Sequence, residues 1–107
     1  MKKKYMGNWR IFEMEQWDRD YIDLVVPGFI FVGEDGVGSF QFGVVEAEID
    51  CRVESLTGTE QLEFSFEGVD EGDPVCGRGW ARVDEDTMTG HLYFHMGDES
   101  GFTAERQ

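Results

Sequence analysis

The residues with the most reactive side chains gather near the end of the chain, in His95-Met-Gly-Asp98-Glu99-Ser100. A turn through Gly97 could bring His95, Asp98 and Ser100 together, the residue types of a base, an orienting carboxylate and a nucleophile. Asp and Ser beside Gly are also ordinary turn formers that hydrogen-bond their own backbone, which is the plainer reading. His91 lies four residues before His95, a spacing that converges on a helix. On a strand it separates the two rings by about 13 Å, so one metal ion cannot take both. Cys51 and Cys76 add no recognised zinc spacing. Asp70-Glu71-Gly72-Asp73 offers Asp70, Glu71 and Asp73 as hard oxygen ligands for calcium, without the ligand order of an EF-hand loop. Arg78-Gly79-Trp80 is the remaining candidate. An arginine within a strand of so acidic a chain needs a carboxylate or an aromatic face, and inside a barrel it would orient a carboxylate ligand. No motif calls for a cofactor: there is no P-loop, no G-x-S-x-G, no H-E-x-x-H and no C-x-x-C. Gly33, Gly36 and Gly38 open no helix and have no basis for cradling phosphate.

The chain that must position these groups has 107 residues, enough for one domain with a modest core. Nine Phe, three Tyr and three Trp supply the apolar bulk, which excludes a disordered acidic tail. The formal charge is −14, and three of the nine basic residues are Lys2, Lys3 and Lys4. Such a field repels phosphate backbones and anionic lipid, so nucleic acid and membrane surfaces are poor partners, whereas a basic protein or a cation is a favourable one. MKKKYMGNW has no apolar run after its lysines, unlike a secretory signal. Together with two cysteines read as reduced thiols, this predicts a cytoplasmic protein.

Period-two alternation dominates. Leu62, Phe64 and Phe66 alternate with Glu63, Ser65 and Glu67; small residues from Val75 to Val83 alternate with Cys76, Arg78, Trp80 and Arg82; Leu92, Phe94 and Met96 alternate with His91, Tyr93 and His95. The longest such run, Gly38 to Glu54, changes phase: Phe40 and Phe42 are even, Val45, Ala47, Ile49, Cys51 and Val53 odd. Read as one strand it needs a bulge near Gly43-Val44-Val45 and a bend, because 17 residues would span about 56 Å and a domain of this size is only about 35 Å across. Met14, Trp17 and Tyr21 recur at helical spacing, predicting one or two helical turns over Glu15 to Asp20 that cover an end of the core. Pro27-Gly28 predicts a kinked or edge strand, and residues 1–6 a frayed end. The whole is predicted to be all-β: a small antiparallel meander barrel of seven or eight strands with one short helical turn near the N-terminus, a single domain over 1–107.

Gly7-Asn8-Trp9 ahead of these strands resembles the G-x-W opening of lipocalin-like (calycin) barrels. The resemblance implies a tryptophan closing one barrel end, here Trp9, with an arginine from a late strand packed over it, Arg106 or Arg82. The order GNWRI, MEQWD, PGFIFV, FEGVDE, GRGWA and FHMGDES is similar to that of small bacterial proteins with no assigned activity, and implies the same fold without adding chemistry.

Two functions from different classes follow. An open barrel would bind a small or apolar ligand, with Trp17, Arg78, Trp80 and His95 as its contacts, although nine Phe predict a mostly filled interior. Alternatively, the acidic surface is an interaction module for a basic protein partner. An enzyme using His95 to Ser100 is the weaker third reading, and no substrate follows from it.

Overall fold

Eight strands pair in sequence order and close on themselves. The structure is a computed structural model and describes all residues from Met1 to Gln107. The elements are β1 (Gly7–Met14), α1 (Arg19–Ile22), β2 (Phe29–Val32), β3 (Val37–Phe42), β4 (Val45–Leu56), β5 (Thr59–Asp70), β6 (Asp73–Asp84), β7 (Thr87–Phe94) and β8 (Glu99–Arg106). Each strand is antiparallel to the next, and β8 returns to β1 with Trp9 opposite Arg106. The predicted all-β meander barrel is therefore the fold, with eight strands and one short helix. It measures 37 × 26 × 23 Å.

Hydrophobic alternation decides which way each strand faces. Phe40, Phe42, Ile49, Leu62, Phe64, Phe66, Leu92 and Phe102 all point inward and are at most 5 % exposed. Large rings fit because glycines face them from the next strand. Phe64 lies opposite Gly79, Phe66 opposite Gly77 and Phe102 opposite Gly90. A Cβ at Gly77 would stand 2.6 Å from the Phe66 Cζ, and one at Gly90 2.7 Å from that of Phe102. The glycines of β6 thus mark a close approach of a ring to backbone. The interior is filled by side chains.

The run from Gly38 to Glu54 is two strands rather than one bent strand. Phe42 pairs with Val45 across a two-residue turn, Gly43-Val44. Residues that flank such a turn point to the same face, so the hairpin itself accounts for the phase change. Gly43 takes φ +56°, as the first position of a type II′ turn requires, and a side chain there would strike the Tyr21 ring. The bulge lies elsewhere, in β1 between Ile11 and Glu13, and it lets Ile11 and Met14 both face inward.

The helical turn comes later than its apolar spacing implied. The Glu15 N–H donates to the Gly101 carbonyl (3.0 Å) and the Gln16 N–H to Ser100 Oγ (3.0 Å), tying those residues to β8. Asp18 then caps α1 by accepting from the Tyr21 N–H at 2.9 Å. Trp17 and Tyr21 do cover an end of the core, with the Trp17 ring centroid 4.9 Å from that of Phe42. Leu24 and Val25 are exposed loop residues, not strand. Pro27-Gly28 leaves no open edge there, since the Gly28 carbonyl accepts from the Ile11 N–H at 2.8 Å.

The N-terminal residues are packed rather than frayed. Lys2 to Met6 form a turn, Tyr5 is fully buried, and its carbonyl accepts from Trp9 Nε1 at 2.9 Å. Arg106 lies over the Trp9 ring, 4.3 Å from its centroid, and donates to the Lys4 and Met6 carbonyls. Of the two arginines that the calycin resemblance left open, Arg106 takes this place. Arg82 sits outside the barrel, over Trp80.

Candidate functional site

The chemistry-bearing residues singled out by type are dispersed. Ser100 faces inward opposite Leu92 and is fully buried; its Oγ donates to the Gly101 carbonyl at 2.8 Å and accepts from Gln16. His95 and Asp98 lie in the exposed turn between β7 and β8, where the Asp98 carbonyl accepts from the Phe94 N–H. No side-chain hydrogen bond joins His95, Asp98 and Ser100. The alternation of β8 turns Ser100 away from the turn, so no nucleophile–base pair exists there.

Asp70, Glu71 and Asp73 form a tight hairpin tip rather than a loop. Asp70 pairs with Asp73, and Glu71 and Gly72 both have positive φ (54° and 88°). Strands held in register on both sides cannot wrap a cation, and no group of three candidate ligands converges anywhere in the chain. His91 lies on the outer face of β7 against Tyr93, ring centroids 4.6 Å apart, with Nε2 3.5 Å from Glu99 Oε1. Met96 projects into solvent instead of continuing the inward row.

Arg78 and Trp80 are on the outside of the barrel. Gly77, Gly79 and Ala81 take the inward positions because Phe66, Phe64 and Leu62 face them, which leaves the bulky residues of β6 outside. The Arg78 guanidinium sits over the Tyr93 ring at 5.1 Å, and Arg82 over Trp80 at 5.2 Å. Arg78 cannot orient a ligand in the lumen. Trp17, Arg78, Trp80 and His95 therefore do not form one site; Trp17 belongs to the aromatic cover at one end, and His95 to an exposed turn.

What the fold does assemble is an acidic outer face across β3 to β6. Residues that alternate with the core on β4 and β5 point to solvent, and the pairing sets Glu48 directly opposite Glu67. Like charges placed opposite each other in a sheet repel. Glu46, Glu48, Asp50 and Glu67 make no ion pair; Lys2 and Lys4 pair with Glu60, Arg10 with Asp23 and Arg106 with Asp86, while Arg52 follows Asp50 on the same outward row of β4.

Two clefts of about 780 and 790 Å³ cut this face and share Glu48, Glu67 and Cys76. Ile49 and Phe66, whose side chains point inward, floor the first and Ala47 and Gly68 the second; the apolar side chains that line them from outside are Val37 and Tyr93 in the first and Phe29, Val69 and Pro74 in the second. Glu46 walls the second, Asp50 and Glu99 the first; Arg78, lying on Tyr93, is the cation present. The alternation of Glu46, Glu48 and Asp50 marks them as solvent-facing from sequence. Their meeting with Glu67 depends on the β4–β5 register, which no local signal carries.

No family model, curated protein or solved structure matches the chain. No helix is long and apolar enough to cross a membrane.

Proposed function

We propose that the protein is an interaction module that binds a basic protein partner through the outer face of β3 to β6. One observation carries this reading: Glu46, Glu48, Asp50 and Glu67 converge on one face without a single ionic partner. Their mutual repulsion is relieved when a cation docks, and a chain of charge −14 attracts basic partners from a distance. The packed interior weighs against a carrier of small apolar ligands. The separation of His95 and Asp98 from Ser100 weighs against an enzyme.

Arg106 over Trp9 supports kinship with calycin barrels, and the likeness to small bacterial proteins fits the same fold. A cytoplasmic setting suits two unpaired thiols. None of these adds to the chemistry of the acidic face.

Titration of the protein with poly-L-lysine tests the proposal. Affinity is expected to fall steeply as salt rises, and the E46Q/E48Q/E67Q variant to bind about tenfold more weakly at low salt. Equal binding by the variant, or no dependence on salt, would overturn it.

A further inference from the structure

The spacing of the two clefts adds a requirement that charge alone does not contain. Ala47 lies in the floor of one and Ile49 in that of the other. Two residues along β4 separate the floors by about 6.8 Å. Between them runs a ridge made by Glu48 and Glu67, both exposed. An extended chain projects alternate side chains to one face with that same period. When residue i of such a chain enters one cleft, residue i+2 enters the other.

Long basic side chains suit both clefts. Their methylene stems can lie against the outward apolar side chains, Phe29 and Val69 in one, Val37 and Tyr93 in the other. Their charged heads then reach the walls, Glu46 and Glu48 on one side, Asp50 and Glu67 on the other. A helix turns residues i and i+2 to different sides, and neighbours at i and i+1 in an extended chain face opposite ways.

Resting on the basic-partner reading above, we infer that this face selects an extended segment with basic residues at alternate positions, lying along β4 and β5. The partner is thus recognised by the spacing of its cations as well as by their number.

Two capped octapeptides of identical composition separate the two claims, one with sequence KTKTKTKT and one with KKTTKKTT, which contains no i, i+2 lysine pair. Nuclear magnetic resonance titration of the full chain at low salt is expected to show the alternating peptide binding about fivefold more tightly. Its largest shifts are expected at Glu48, Ile49, Phe66 and Glu67. In the E48Q/E67Q variant, whose changes lie at exposed positions, the ratio is expected to fall to about one. Equal affinities for the two peptides would overturn the spacing rule and leave the charge reading standing. Binding of neither would overturn both. A preference that persists in the variant would place the selection elsewhere and overturn the inference as well.

Discussion

Cys51 and Cys76 differ only in which way their strands turn them. Cys51 faces inward on β4, against the core, and burial, with the nearby Asp50 carboxylate, pushes its thiol up to about 12. Cys76 faces outward on β6 at the ridge between the two clefts. Because the thiolate is the reacting form, the buried residue is protected and the exposed one is not. A disulfide reagent at about pH 8 is expected to titrate one thiol per chain in the folded protein and both in denaturant. Two thiols reacting at similar rates without denaturant would mean that β4 is not held in its register. The side-chain environment at this scale also explains the clustering of acid. Glu48 and Glu67 are tolerated opposite each other because both are exposed, where repulsion is screened by water and salt.

At the scale of elements, the chain is organised by hairpins. Four turns of two residues, Gly43-Val44, Thr57-Gly58, Glu71-Gly72 and Glu85-Asp86, join β3 to β4, β4 to β5, β5 to β6 and β6 to β7. The connection from β1 to β2 is longer and is latched instead by a pair of side chains. Arg10 on β1 makes two hydrogen bonds of 2.8 Å to the Asp23 carboxylate, which also accepts from the Gly28 N–H at 3.0 Å. The Arg10 bonds, aided by Gly28, hold the Asp23 carboxyl below its ordinary value of 3.8 against the opposing effect of burial. A carboxyl depressed in the folded state stabilises the protein above its unfolded-state pKa and loses that contribution as pH falls through the folded-state value. Arg10→Ala is expected to lower the unfolding free energy by about 1–3 kcal/mol at neutral pH. The gap between variant and native protein is expected to narrow as pH falls below about 4, where the unfolded chain takes up a proton that Asp23 in the native fold resists until lower pH. A gap that stays constant from neutral pH to about pH 2 would show that the latch contributes through packing instead.

At the scale of the whole molecule, closure and charge act against each other. Pairing of β8 with β1 removes the open edges of the sheet, and Tyr5, Trp9 and Arg106 close one end while Trp17 and Tyr21 cover the other. A net charge of −14 on so small a body favours expansion. Raising sodium chloride from about 0.01 to about 0.5 M shortens the screening length several-fold and is expected to raise the melting temperature. A melting temperature that fell with salt would show that the Arg10, Lys2 and Arg106 ion pairs outweigh the general repulsion.

Strand identity was legible from residue order wherever apolar and polar residues alternate, because a strand imposes that period locally. The inward rows of β4 and β5 could be read this way; on β6 the alternation was legible but not its face, because which row turns inward depends on the Phe rings that Gly77 and Gly79 meet across the sheet. Trp9 as an end-closing residue was visible through its G-x-W setting. Properties that join distant residues were not. The shift at Gly43 was compatible with a bulge or a turn, and only the pairing of Phe42 with Val45 distinguishes them. Ser100 looked like a partner for His95 because they are close in sequence, yet the pleat of β8 turns it inward. Glu48 and Glu67 are 19 positions apart; their meeting, and with it the acidic ridge, follows from the β4–β5 register. Local alternation sets the face of each side chain, whereas cross-strand pairing sets its neighbours, and the candidate site of this protein is made of neighbours.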